Sequence, residues 1–153
     1  MPTTCREIMT QLPISADPET SIYDIALSMS EFGLGALPIV DKSMCLIGIV
    51  TDRDIVTKAV ASNLDNQKTP VKIIMTNSPV CCHPEEDIQN AIALMEDCQV
   101  RRIPIIDEGG RLVGIISQAD IALRLHKGNV TAEVLEEISK TPFPPHSYTG
   151  VPT

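Results

Sequence analysis

The sequence predicts an α/β (α+β) fold: two β-α-β-β-α repeats packed through their sheets with pseudo-twofold symmetry. Three observations predict it. Residues 8–58 align with residues 74–124 at a constant offset of 66 without a gap. Both copies switch between helical and strand periodicity at the same places. A unit of about 50 residues has too little interior to cover both faces of a sheet alone, so two copies must share one.

Each element is read in both copies at once, because a buried face stays apolar even where the residue changes. Ile8-Met9-Thr10 falls on Ile74-Met75-Thr76, Pro13 on Pro79 and Pro18-Glu19 on Pro84-Glu85. A short strand is expected around Ile14, and again around Val80, each followed by a Pro-Glu turn. Ile22, Ile25, Ala26 and Met29 have helical spacing, and their counterparts Ile88, Ala91, Ile92 and Met95 are apolar too. Amphipathic helices are therefore expected from about Ser21 to Phe32 and from about Asp87 to Cys98. LPIV (37–40) and IPII (103–106) read as buried strands, short and branched. The polar loops DKSMC and DEGG turn them into the second strands LIGIV and LVGII. Thr51 and Ser117 then open further helices, with Ile55, Val56 and Ala59 on one face, and Ile121, Ala122 and Leu125 in the second copy.

These elements place the first repeat at 4–62, a polar linker at 63–70 and the second repeat at 71–126. TAEVLEEISK predicts one more helix over 129–140, with Thr131 as N-cap and Val134, Leu135 and Ile138 as its apolar stripe. The end of the chain, 141–153, reads as a Pro-rich flexible tail.

Charge and composition narrow the function classes. Twelve basic against twenty acidic residues give a net charge of −8, and two Phe, two Tyr and no Trp leave little to stack on bases. General nucleic-acid binding is not expected. There is no apolar run of about 18 residues and no secretory leader over Met1–Ser15, so a cytoplasmic protein with no membrane partner is expected. Cys5, Cys45, Cys81, Cys82 and Cys98 are odd in number and form no CxxC pair, which fits a reducing compartment. Cys81-Cys82-His83 offers three ligand-type side chains, but neighbours on a strand point to opposite faces, so no metal site is expected. GxSxG, Walker A, HExxH and dinucleotide-binding glycine patterns are missing, and His83, His126 and His146 do not recur between copies. No enzyme and no catalytic cofactor are expected.

The most specific feature is a segment written twice, GIVTDRDI (48–55) and GIISQADI (114–121). In both, a hydroxyl residue is followed three positions later by an aspartate, which is how a helix caps its own N-terminus. The same helix end offers unpaired N–H groups and a positive dipole end that suit a phosphate, so capping and ligand binding are compatible.

Taken together, the MT-x-x-P starts, the (L/I)P strands ending in Asp41 and Asp107, and the doubled T/S-x-x-D segments resemble a pair of CBS domains, the Bateman module. The resemblance covers about residues 4–126 and is most similar to bacterial stand-alone CBS pairs of the hypoxic-response type. It implies a pseudo-symmetric sandwich that dimerises and binds AMP, ADP, ATP, NAD or S-adenosylmethionine in inter-repeat clefts. It also implies that the segment's aspartate accepts from ribose hydroxyls and that its hydroxyl residue contacts ribose or phosphate.

Carried over by position, the resemblance builds a main cleft from Thr51, Arg53 and Asp54, with Pro79, Val80 and Cys81 and with Arg101, Arg102 and Ile103. The second cleft combines Ser117 and Asp120 with Pro13, Ile14 and Ser15 and with Gly35, Ala36 and Leu37. Arginine forks bind phosphate bidentately, so the main cleft is expected to take a phosphate-bearing adenosine ligand first. A cationic sulfonium ligand has no need of the arginines. The leading expectation is a homodimeric sensor of energy or redox state, acting in signal transduction on an unidentified regulated protein. The alternative is a structural dimerisation or interaction protein with vestigial clefts.

Overall fold

A computed structural model describes residues 2–11 and 13–125. The predicted helix over 129–140 and the tail over 141–153 lie outside them. Mixed helices and small sheets give an α+β fold. In chain order the elements are α1 (Cys5–Ile8), β1 (Thr10–Gln11), α2 (Ile22–Phe32), β2 (Ala36–Val40), β3 (Leu46–Thr51), α3 (Asp52–Asp54), β4 (Thr76–Asn77), α4 (Ile88–Cys98), β5 (Arg102–Ile106), β6 (Leu112–Ser117) and α5 (Gln118–Leu125). The helix begun by α3 runs on as a π-helical stretch over Ile55–Val60, and a 3₁₀ turn over Val71–Ile73 stands where the second copy repeats α1.

Both long helices begin and end where their residues dictate. Ser21 caps α2 by accepting from Asp24 N at 3.1 Å, and Asp87 caps α4 by accepting from Gln89 N at 2.9 Å. Gly33 and Gln99 stop them in the left-handed conformation, with φ of 65° and 53°. Glycine takes this conformation without steric cost, whereas a glutamine there is held by its surroundings.

One expectation needs correcting. The first strand of each copy is not at Ile14 or Val80 but at Thr10–Gln11 and Thr76–Asn77. Pro13 and Pro79 have no N–H to donate, so the ladder ends before them. Past each proline the chain returns to its own repeat, through single bridges of Ala16 to Ile39 and of Cys82 to Ile105.

The first strands are also exchanged. The two sheets run β1-β6-β5 and β2-β3-β4, so each holds a hairpin from one repeat and a short strand from the other. Thr10 stands opposite Ile115 and Gln11 opposite Gly114, while Thr76 stands opposite Ile49 and Asn77 opposite Gly48. The cores follow the exchange. Cys5, Ile8 and Met9 pack with Ile88, Ile92, Ile103, Ile116 and Ile121, whereas Val71 and Ile74 pack with Ile22, Ile25, Leu37, Ile39 and Val50. Neither half has a complete core without the arm of the other.

The hydrogen bonds obey the sequence offset. Ile22 N donates to Thr69 O at 3.0 Å and Ile88 N to Thr3 O at 2.8 Å. At the hairpin ends Leu46 N donates to Gly110 O at 3.0 Å and Leu112 N to Met44 O at 2.9 Å, flanking a bridge between Cys45 and Arg111. Those two residues occupy equivalent positions in the repeats, so the pseudo-twofold axis passes between them.

Candidate functional site

The doubled segment closes two capping boxes. Asp54 N donates to Thr51 Oγ1 at 3.1 Å while Thr51 N donates to Asp54 Oδ2 at 3.0 Å. In the second repeat Asp120 N donates to Ser117 Oγ at 3.1 Å and Ser117 N to Asp120 Oδ2 at 2.9 Å. Each box ends a sheet strand and starts a helix, which fixes the carboxylate at the end of the strand that pairs with the exchanged arm.

Beyond the boxes the two sites differ. Lys58 Nζ lies 3.2 Å from Asp54 Oδ1 and donates to Ile74 O at 3.3 Å. The equivalent Arg124 turns away from Asp120: its Nη1 donates to Ile8 O at 2.8 Å and to Met9 O at 2.6 Å, carbonyls at the end of α1. Asp120 Oδ1 instead accepts from Thr10 Oγ1 at 3.2 Å, a bond between repeats. The first site therefore carries a cation at its carboxylate and the second a hydroxyl. Sequence reasoning missed Lys58, although Asp54 and Lys58 stand at the i,i+4 spacing of a helical ion pair.

The strand exchange sets where the other predicted residues fall. Pro79, Val80 and Cys81 are half-buried and follow β4, so they leave the sheet that carries Thr51 and Asp54. Pro13, Ser15 and the more exposed Ile14 follow β1, on the sheet that carries Ser117 and Asp120. By backbone register Ala36 stands opposite Thr51 and Arg102 opposite Ser117. The Arg102 side chain, however, crosses to the first repeat: a Cβ built on Gly35 would stand 3.0 Å from Arg102 Nη1 and 3.6 Å from Asp52 Oδ2. The bare backbone at Gly35 makes room for that guanidinium, so a residue expected in the second cleft supports one expected in the first. Arg53 is exposed on α3, and the half-buried Arg101 accepts through its carbonyl from Gln118 N at 3.1 Å. Leu37 and Ile103 are 1% and 0% exposed, so their side chains belong to the cores and only their backbone can face a ligand.

The cysteine cluster does not converge. The Cys82 thiol is buried in one apolar cluster with that of Cys5, while His83 Nδ1 lies 3.0 Å from Ile106 O. Burial, and after it the Glu86 carboxylate, pushes the Cys81 thiol up, which favours its neutral form. Among the described residues no three His, Cys, Asp or Glu side chains gather as metal ligands. A cavity of about 520 Å³ lies elsewhere, lined by Arg6, His83, Pro84, Glu85, Asp107 and Glu108, none of them predicted to bind.

Comparison with known proteins gives the context. The CBS domain family model matches residues 5–61 and 71–127. The chain is 33% identical over 134 residues to the CBS domain-containing protein YhcV of Bacillus subtilis, covering 88% of this chain and 94% of YhcV. It is 38% identical over 123 residues to hypoxic response protein 1 of Mycobacterium tuberculosis, covering 80% and 85%. It spans only 55% of the uncharacterized protein MK0525 of Methanopyrus kandleri, to which it is 33% identical. Among solved structures, hypoxic response protein I with two coordinated zinc ions matches at a TM-score of 0.73 and 38% identity, covering 78% of this chain and 97% of that one. The CBS domain pair of protein MJ0100, in complex with 5'-methylthioadenosine and S-adenosyl-L-methionine, matches at 0.73 and 32%, covering 84% and 98%. The described residues of this chain supply no donor set that fits a zinc ion. No described helix is long and apolar enough to cross a membrane.

Proposed function

Because the chain belongs to the CBS-domain family as a tandem pair, we propose that it is a cytoplasmic regulatory module that binds an adenine-containing ligand in its inter-repeat clefts. The observation that carries this reading is the doubled box: Thr51 with Asp54 and Ser117 with Asp120, each on a helix start beside the exchanged strand. A carboxylate has about four acceptor sites. Asp54 gives one to Thr51 N and one to Lys58, which leaves acceptors for a ribose diol. The MJ0100 pair with its two adenine-containing ligands supports the ligand class.

Within that class, AMP, ADP, ATP or NAD suits the first cleft. Arg53, Lys58 and Arg102 stand on or against the Thr51–Asp54 segment and give a chain of net charge −8 a local positive site. The second cleft has lost its basic group to the carbonyls of α1 and takes a ligand more weakly. Ligand occupancy would then shift a homodimer between states read by a regulated protein, as a sensor of energy or redox state.

One observation favours a second reading, an interaction protein whose clefts are vestigial: both aspartates already have partners within the chain, in their boxes and in Lys58 or Thr10. Thermal denaturation with AMP, ATP, NAD and S-adenosylmethionine separates the two. A ligand at about one hundred times its dissociation constant stabilises by about 2.7 kcal/mol. No shift with any of the four contradicts the binding reading.

A further inference from the structure

The arm of the first repeat carries a cysteine into the core of the second. Cys5 opens α1 and is buried with Cys82, both 0% exposed and in one apolar cluster with Ile88, Ile105 and Ile116. Each thiol is the neighbour that most affects the other's hold on its proton. The backbone fixes the approach from both sides, since Cys5 N donates to Glu86 O at 2.9 Å, Arg6 N to Pro84 O at 2.9 Å and Cys82 N to Pro104 O at 3.1 Å. At the equivalent positions of the other seam the chain has Val71 and Ala16, so the thiol pair is a device of one seam only.

We propose that Cys5 and Cys82 are a redox modification site: a peroxide converts them to a disulfide that fastens the first repeat's arm into the second repeat's core. Cys5 rides on the arm and leaves the core with it when the arm opens, so its sulfur meets the oxidant first, while Cys82 stays in the core on its bridge to Ile105. Burial sets the rate. The arm is held at its outer side by the exposed Arg6–Glu85 pair at 2.7 Å and by a few backbone bonds, so local opening admits a small oxidant. The Cys5 thiolate attacks one peroxide oxygen, the O–O bond breaks, and water leaves with a proton, giving a sulfenic acid. On redocking, the Cys82 sulfur attacks the Cys5 sulfur, the S–O bond breaks, and the departing hydroxide takes the Cys82 proton as water. Two thiols and one hydrogen peroxide thus become one disulfide and two waters. The half-buried Cys81 sits next along the chain but is not part of the buried pair.

Peptide mapping tests the assignment on the full chain. The protein is treated with hydrogen peroxide, its remaining thiols are alkylated, and the peptides are sequenced by mass spectrometry with and without dithiothreitol. The expected product joins the Cys5 peptide to the peptide holding Cys81 and Cys82, two hydrogens lighter and split by the reductant. Fragmentation places the bond on Cys82, Cys81→Ala keeps the product and Cys82→Ala loses it. A bond on Cys81 in the wild type, or no intramolecular product under conditions that oxidise the exposed Cys98, overturns the proposal. Fragmentation of the wild type decides between Cys81 and Cys82 even if a variant folds poorly.

Discussion

The Thr10 hydroxyl donates to the Asp120 carboxylate at 3.2 Å across the seam between the repeats, while the equivalent Asp54 is held at 3.2 Å by Lys58 of its own helix. The same aspartate in the same box therefore reports to different neighbours. Replacing Thr10 by Val removes one inter-repeat bond and is expected to cost about 0.5–1.5 kcal/mol in urea unfolding. The matching Thr76→Val is expected to cost less, because Asp54 takes its partner from Lys58. Equal losses would show that the seam bond at Thr10 carries no stability of its own.

Lys58→Met should separate phosphate from nucleoside. It strips the cation from a carboxylate whose side chain is 15% exposed, and from the site that would face a phosphate. A charge-assisted bond contributes about 1.5–3 kcal/mol, so AMP affinity is expected to fall about tenfold or more while adenosine affinity changes little. Isothermal titration with both compounds checks this. A parallel loss for both would place the effect in the fold instead.

Gly48→Ala and Gly114→Ala should both destabilise. A Cβ at Gly48 would stand 2.5 Å from Met75 Sδ, and one at Gly114 would stand 2.9 Å from Met9 Cγ. In each case the methionine comes from the other repeat's arm, so the added methyl pushes the exchanged strand outward. Overpacking of this kind costs about 1–3 kcal/mol, readable as a lower denaturation midpoint. Midpoints at or above the wild-type value would contradict the exchange.

Alkaline stability follows from the thiols. Cys81 and Cys82 are pushed up by burial and, for Cys82, chiefly by its neighbour Cys5. Above about pH 8.5 the unfolded chain releases these protons while the native state keeps them, so the stability they contribute is lost as pH rises. Cys5, held down, acts in the opposite direction, so the Cys81 contribution is read from the difference between wild type and Cys81→Ala. Urea midpoints should fall between pH 8 and pH 10 under reducing conditions, and Cys81→Ala should fall less steeply than wild type. A flat profile would contradict this.

Much of the fold is legible in the sequence because comparing copies filters chance. Ile25 against Ala91 and Ala26 against Ile92 keep one face apolar, which predicts α2 and α4 to within a residue or so of their observed bounds. The strand exchange is not legible: Thr10-Gln11 and Thr76-Asn77 are polar and exposed, and two residues cannot show a strand period. The boxes were readable from Thr51 and Asp54 alone. Their unequal partners were not, because Asp54–Lys58 and Asp120–Arg124 share one spacing in sequence. Only the longer arginine fork, reaching the carbonyls of Ile8 and Met9, breaks the symmetry.

The most direct test of the account is calorimetric titration of AMP into wild type, Asp54→Ala and Asp120→Ala. Losing the charged acceptor is expected to weaken the first cleft at least about tenfold. The account predicts that Asp54→Ala removes the tighter binding event and Asp120→Ala leaves it intact. Unchanged tight binding in Asp54→Ala, or its loss only in Asp120→Ala, would contradict the assignment of the first cleft.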